Sequence, residues 1–155
     1  MTQYSTFFLG GRCFGLPILS VREIIRTCEI TPVPLAPPHV RGLINLRGQI
    51  VTILDLAVRL GIRDRPDPLE SHVVVLTGGE APAGARERSA EAGAGEAMAG
   101  FLVDGIGDVV EADPGQTKPA PANVSEAEGK LLAGVLQADS GLLALLDLEG
   151  VLHGN

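Results

Sequence analysis

An internal repeat constrains this chain more than any other feature of its sequence. Residues 15–25 (GLPILSVREII) align with residues 100–110 (GFLVDGIGDVV), with glycine on glycine, acid on acid and β-branched pairs at the end. After a longer second connector, residues 42–44 (GLI) match 134–136 (GVL), and residues 53–56 (ILDL) match 145–148 (LLDL). Each copy is a set of short apolar runs of about 50 residues, which favours two small barrels or sandwiches packed as lobes.

Turn and breaker residues divide each copy into short strands. Strand-like runs occupy Tyr4–Leu9, Cys13–Ile18, Gly42–Leu46, Gln49–Leu54, His72–Thr77 and Met98–Val103. Gly10-Gly11 and Arg47-Gly48 are hairpin signals between such runs. The run Val21–Ile25 is too short for periodicity to separate a strand from one helical turn.

One short helix and two connectors complete the predicted chain. Asp55 should N-cap a helix over Leu56–Leu60, with Gly61 as its left-handed stop. The repeated Asp55 and Asp147 are therefore predicted to be structural caps and not catalytic acids. The proline-rich segment Thr31–Pro38 predicts an extended connector, because proline removes donors and disfavours helix before it.

We therefore predict an all-β fold: two pseudo-repeated, five-stranded barrel lobes packed together, with short helical turns. The whole chain, 1–155, is expected to be one domain. Lobe one should cover residues 10–68, and lobe two residues 69–155 plus the N-terminal strand. Residues 79–97, rich in alanine, glycine and glutamate, predict a flexible loop inserted at a hairpin tip.

Charge is distributed unevenly along the chain. Residues 1–65 carry eight Arg and four acids (8 − 4 = +4), and residues 66–155 carry four bases and fifteen acids (4 − 15 = −11), which recovers the net charge of −7. This asymmetry suggests partner selection by charge complementarity, although an uneven solvated surface explains it equally well.

Composition argues against several classes of protein. Tyr4 and four phenylalanines are the only aromatic residues, too few for a nucleic-acid stacking platform. Cys13 and Cys28 are the only cysteines, which favours reduced thiols over a disulfide framework. No signal-peptide pattern and no apolar run of membrane-spanning length occurs, so a soluble, cytoplasmic protein is expected.

Candidate catalytic and metal-binding groups are scattered. His39, His72 and His153 lack Cys, His or carboxylate neighbours at metal-ligand spacing. The glycine-rich stretch 10–15 lacks the Gly-Lys-Ser/Thr ending of a phosphate loop, and 104–111 has the wrong oxygen spacing for a calcium loop. We therefore expect no catalysis, no cofactor and no metal.

Several motifs in order resemble the CheW-like chemotaxis coupling proteins. The signature-like stretch is Val40–Leu56 (VRGLINLRGQIVTILDL), and the similarity extends to Val21–Ile25, Pro34–Pro38, Val103–Asp108, Lys118–Pro121 and Leu142–Leu152. The resemblance implies two intertwined five-stranded barrel lobes and a non-catalytic adaptor. The long loop at 79–97 departs from the family pattern, so contacts near it cannot be transferred.

The resemblance also implies partners and binding residues. The partners would be the cytoplasmic tips of chemoreceptors, the regulatory domain of a CheA-type histidine kinase, and other CheW-like domains in rings within receptor arrays at the inner membrane. Nucleic acid and direct membrane insertion are not expected. The partner-binding residues implied are Val21, Glu23, Asn45, Arg47 and Gly48. Non-flagellar pathways controlling pili, surface sensing or development are the alternative setting, and a small-barrel binding module of another class is a further one.

Arg47 has three compatible interpretations. It could be a solvated charge in a turn whose Gly48 supplies the positive φ, an intramolecular partner of Glu23, or a recognition residue. In the second repeat the corresponding tip carries Asp139, so the two tips have opposite charge. This motivates the hypothesis of head-to-tail lobe contacts steered by charge, with salt-dependent binding to the kinase.

Overall fold

A computed structural model describes residues 1–26, 29–62, 71–77, 98–119, 131–138 and 141–153. These residues form eleven strands, two short α-helices (α1 Leu56–Leu60 and α2 Leu148–His153) and two 3₁₀ turns. The strands are β1 Thr2–Leu9, β2 Arg12–Pro17, β3 Val21–Arg26, β4 Val40–Leu46, β5 Gln49–Asp55, β6 His72–Leu76, β7 Met98–Val103, β8 Gly105–Ile106, β9 Val110–Ala112, β10 Leu132–Ala138 and β11 Gly141–Leu146. The all-β prediction is confirmed, and the open choice at residue 21 is decided in favour of a strand.

The strands form two sheets of matching design. The central sheet has the order β3-β6-β7-β5-β4. The terminal sheet, built from both ends of the chain, has the order β9-β1-β2-β11-β10, with the two-residue β8 also paired to β1. In each sheet one pair of neighbours is parallel, β5 with β7 and β11 with β2, and the other main pairs are antiparallel.

The repeat explains this matching order. Repeat one contributes β2, then β3, β4, β5 and α1, and repeat two contributes β7, then β9, β10, β11 and α2. In both repeats the chain crosses from one sheet to the other after its first hairpin. The hairpin β1–β2 therefore completes the terminal sheet, and the hairpin β6–β7 completes the central sheet. The two lobes are intertwined, as the family resemblance implies.

The predicted lobe boundaries need correction. The central sheet uses residues 21–103, and the terminal sheet uses residues 2–17 and 105–146. The chain therefore leaves the central sheet near residue 104, and not near residue 68. The physical reason is the parallel pairing of β5 with β7, which holds the β6–β7 hairpin in the sheet of the preceding repeat.

Buried side chains form three clusters. Valine, isoleucine, leucine and methionine fill the central barrel, and a smaller cluster around Tyr4, Leu136 and Leu143 fills the terminal barrel. The largest cluster lies between the sheets and takes residues from both, including Phe7, Phe14 and Phe101. The lobes are thus held together by burial of apolar surface, which contributes about 25 cal/mol per Å².

Each repeat contains one glycine whose conformation cannot be replaced cheaply. Gly42 (φ 147°) and Gly134 (φ 153°) occupy equivalent bulges in β4 and β10. A Cβ on Gly134 would lie 2.6 Å from the Lys118 carbonyl oxygen, and one on Gly42 would overlap the Thr31 carbonyl oxygen. These carbonyls accept the neighbouring amides of the strand, so the close approach is part of the sheet.

The capping prediction for the first helix is confirmed. Asp55 accepts a hydrogen bond from the Val58 amide at 3.3 Å, and Gly61 ends α1 with φ 77°. The prediction of an extended connector at Thr31–Pro38 is wrong in part. This segment makes turns, in which the Ala36 amide donates to Val33 and the fully exposed Leu35 takes a φ of 64°. The predicted loop at 79–97 lies outside the described residues.

Candidate functional site

The β4–β5 hairpin ends in a tight two-residue turn at the tip of the central barrel. Both central residues have positive φ, 53° at Arg47 and 85° at Gly48. This is the pattern of a type I′ turn, whose twist matches that of the flanking strands. The type II alternative, with positive φ at Gly48 alone, is therefore wrong, because a direct two-residue hairpin needs the mirror-image turn.

Asn45 stabilises this turn. Its side-chain carbonyl oxygen accepts a hydrogen bond from the Gly48 amide at 2.9 Å. The bond satisfies a donor that a tight hairpin would otherwise leave to water. Asn45 and Gly48 thus fix the backbone that carries Arg47, a residue type that seldom adopts positive φ.

The predicted pairing of Arg47 with Glu23 is confirmed. The Arg47 Nη1 atom donates to Glu23 Oε1 at 2.8 Å, although 73% of the Arg47 side chain is exposed against 21% of Glu23. Glu23 lies on β3 and Arg47 at the end of β4, the two edge strands of the central sheet. The ion pair therefore joins the edges of the curled sheet and covers the end of the central barrel.

Val21 stands apart from this group. It is half-buried and packs against the cluster between the two sheets. The pairing of β3 with β6 shifts register between Val21 and Glu23. Of the five predicted residues, the structure brings four together, Glu23, Asn45, Arg47 and Gly48, and places Val21 at the boundary between the lobes.

An exposed row on β3 belongs to the same surface. Arg22, Ile24 and Arg26 alternate with more buried residues and share the solvent-facing side of the strand. Ile24 is 37% exposed, and Arg22 Nη1 lies 3.5 Å from the Met98 sulfur. Sequence reasoning missed these three residues, although once Val21–Ile25 is taken as a strand, strict alternation indicates them.

The equivalent end of the terminal barrel is open. The repeat places Asp108 where the central lobe has Glu23, and Cys13 where it has Met98. A cavity of about 920 Å³ opens there between the β1, β9 and β11 strands. Its rim has three exposed apolar side chains, Phe8 (39%), Val109 (51%) and Leu142 (61%). Asp139, predicted to oppose Arg47 at the second tip, lies outside the described residues.

Comparison with known proteins decides the family. The sequence profile of the CheW-like domain matches residues 3–155. The chain belongs to the CheW-like family.

Relatives and solved structures agree with this assignment. The chain is 32% identical over 145 residues to a probable chemotaxis protein CheW of Rhizobium etli, covering 94% of this chain and 83% of the relative. The crystal structure of the scaffolding protein TtCheW from Thermoanaerobacter tengcongensis superposes with a TM-score of 0.76 at 25% identity, over 97% of this chain and 86% of the other. Protein FrzA of Myxococcus xanthus is 26% identical, over 92% of this chain and 79% of FrzA.

The CheW-like chain is therefore a scaffold protein of the chemotaxis class, which is a non-catalytic one. Burial raises the pKa of the Cys13 thiol, which disfavours the nucleophilic thiolate. In the described part of the chain no three His, Cys, Asp or Glu residues could hold one metal ion. Nor does any helix there have the length and apolar content needed to cross a membrane. Cys28 lies outside the described residues.

Proposed function

We propose that this CheW-like chain couples chemoreceptors of the methyl-accepting type to a CheA-type histidine kinase. It would bind the cytoplasmic receptor tip and the regulatory domain of the kinase, in the cytoplasm and within receptor arrays at the inner membrane. Its part is to hold the two partners in a fixed relation, with no chemistry of its own. The family assignment supports this role.

One observation carries the proposal: the fixed, exposed charge at the end of the central barrel. Arg47 is held by a rigid turn and by Glu23, so the guanidinium is presented to solvent in a defined position. An exposed pair of this kind contributes at most about 1 kcal/mol to stability. Its conformation, which is costly for arginine, is therefore better explained by recognition than by stability.

The five predicted residues then have distinct roles. Arg47 and Glu23 present complementary charge, and Asn45 and Gly48 hold the turn that positions Arg47. Val21, at the boundary between the sheets, shapes the apolar side of the contact. A partner that carries both a charged group and an apolar side chain fits this arrangement.

Charge reversal tests the proposal. Binding of a receptor cytoplasmic fragment and of the kinase regulatory domain is measured by calorimetry for Arg47→Glu, Glu23→Arg and the double swap. We expect each single change to weaken binding of at least one partner by about tenfold, or about 1.4 kcal/mol, and the swap to recover part of it. The exposed Glu29→Arg is the matched control, with the same change of charge on the same lobe. Unaltered binding of both partners by both folded singles would refute the assigned roles.

Salt dependence tests the electrostatic part separately. If charge complementarity steers kinase binding, affinity should fall strongly between low and high ionic strength. An affinity for the kinase domain that hardly changes would rule out this steering.

Similarity to Protein FrzA supports a second setting for the same coupling role. In it the chain would serve a non-flagellar chemosensory pathway that controls pili, surface sensing or development. Deleting the gene distinguishes the settings: loss of swimming bias with intact surface behaviour supports the flagellar pathway, and the reverse result supports the alternative.

A further inference from the structure

The two repeats place equivalent edge strands at opposite ends of the molecule. β3 lies at one edge of the central sheet, and β9 pairs with β1 at the corresponding edge of the terminal sheet. In the repeat alignment Ile24 corresponds to Val109, and Arg26 corresponds to Glu111. The two edges thus share a backbone plan and an exposed apolar residue, but the neighbouring charge is reversed.

The β3 edge is basic and apolar. Arg22, Ile24 and Arg26 line its exposed side, and the exposed Arg47 lies at the same barrel end. The acid of this region, Glu23, is already paired with Arg47. The surface available to a partner therefore carries positive charge around one exposed isoleucine.

The β9 edge is acidic and apolar. Asp108, Val109 and Glu111 are exposed, and they lie on the rim of the cavity together with Phe8 and Leu142. The exposed Val109 and Leu142 provide apolar surface beside the carboxylates. This edge would accept an apolar side chain flanked by cations, which is what the β3 edge presents.

The lobes as wholes have the same polarity. Among the described residues, the central lobe (21–62, 71–77 and 98–103) carries five Arg and three acids, 5 − 3 = +2. The terminal lobe (1–20, 104–119, 131–138 and 141–153) carries two bases and six acids, 2 − 6 = −4. Opposite lobe charges orient two copies before contact and disfavour pairing of like lobes.

From this complementarity we infer that the chain binds a second copy of itself head to tail, with the β3 edge of one molecule on the β9 edge of the next. The contact is heterologous, so each joined pair keeps one free edge of each kind, and association continues beyond the dimer unless a ring closes. This contact needs neither kinase nor receptor, and its central residues, Arg26 and Glu111, are not among the five assigned to coupling. Its failure would leave the proposed function untouched.

Sedimentation velocity of the purified full chain, over a range of concentrations and at low and high salt, tests the inference. We expect the average mass of the wild-type protein to rise with concentration and to fall with salt. Arg26→Glu and Glu111→Arg should each weaken self-association by about tenfold or more, because each places like charges on both edges. An equimolar mixture of the two variants should associate again, because each altered edge then meets an opposite charge.

Two controls make the result decisive. Glu29→Arg in the central lobe and Glu149→Arg in the terminal lobe reverse exposed charges away from the edges and should associate as the wild type does. Circular dichroism and thermal melting establish that every variant is folded. A wild-type protein that stays monomeric at low salt would overturn the inference. So would single variants that associate normally, and so would a mixture that fails to recover, since that result indicates a contact between like edges.

Discussion

The two barrels have the same backbone plan, yet their ends differ. In the central barrel Met98 fills the interior, and the Glu23–Arg47 pair covers the mouth. In the terminal barrel the smaller Cys13 takes the place of Met98, and a cavity of about 920 Å³ opens at the corresponding end. The pairing scheme and the bulge glycines are common to both repeats, whereas the side chains at the barrel ends are not. In this molecule, the strand plan is the shared property of the repeats and surface chemistry is where they differ.

Substitution of the bulge glycines should break what the repeats share, with the largest effect. Gly42→Ala and Gly134→Ala each force a Cβ against a backbone carbonyl at positive φ, so each should cost about 3 kcal/mol or more of unfolding free energy. Urea denaturation measures the loss. Gly11→Ala is the control, since Gly11 also has positive φ but meets nothing within 4 Å, and should cost only about 1–2 kcal/mol. Equal costs at all three sites would contradict the close-approach explanation.

The equivalent aspartates should separate the repeats. Asp55 is 1% exposed, caps α1 and lies 3.5 Å from Arg41 Nη1, whereas Asp147 is exposed and the residue matching Arg41 is Ala133. Asp55→Ala should therefore cost about 2–3 kcal/mol, and Asp147→Ala about 1 kcal/mol or less.

Thermal unfolding of the two aspartate variants, and of Arg41→Ala, measures this difference. An Asp147→Ala variant as unstable as Asp55→Ala would show that the second aspartate has an equally important structural role.

The ion pair at the central barrel should contribute little to stability. A double-mutant cycle with Arg47→Ala and Glu23→Ala should give a coupling energy of about 0.2–1 kcal/mol, since most of the Arg47 side chain is in solvent. A coupling well above that range in urea denaturation would make the pair a structural brace and weaken the case for recognition.

The smallest expected effect concerns pH. The His39 and Leu131 carbonyls accept the equivalent Asp55 and Asp147 amides, but only His39 titrates. Burial, and then the nearby Arg59 charge, lower the pKa of His39 from 6.5, so the unfolded chain takes up the proton first on acidification. The stability that this group contributes is full above the unfolded pKa and is lost as pH falls toward the folded one.

His39→Leu should reduce the loss of unfolding free energy between about pH 7.5 and pH 5.5, as measured by urea titration at each pH. A variant with the same pH dependence as the wild type would show that His39 has no part in it.

The repeat and the turn residues predicted the class of fold, the hairpin positions, the capping of α1 by Asp55 and the Glu23–Arg47 pair. These succeeded because each depends on local chemistry or on a spacing visible in the sequence. The sequence did not reveal which hairpin pairs with which sheet. That choice rests on the parallel β2–β11 and β5–β7 contacts between residues far apart in the chain, and local patterns do not encode such contacts.

The side-chain surface was predicted less completely than the turn. The type I′ geometry at Arg47 was missed because arginine rarely takes positive φ, so Gly48 alone was expected to adopt it. The basic row on β3 was missed because Val21–Ile25 could not be assigned as a strand, and the open end of the terminal barrel depends on packing that no single motif reports.

The β2–β11 pairing has a consequence for synthesis on the ribosome. The first hairpin emerges with its β2 edge unpaired, and its partner β11 follows more than a hundred residues later. At about 5–20 residues per second, that strand edge stays exposed for several seconds or longer. The terminal barrel is therefore assembled last from the first segment made, and the nascent chain depends on a chaperone or on the central barrel to shield β2 until then.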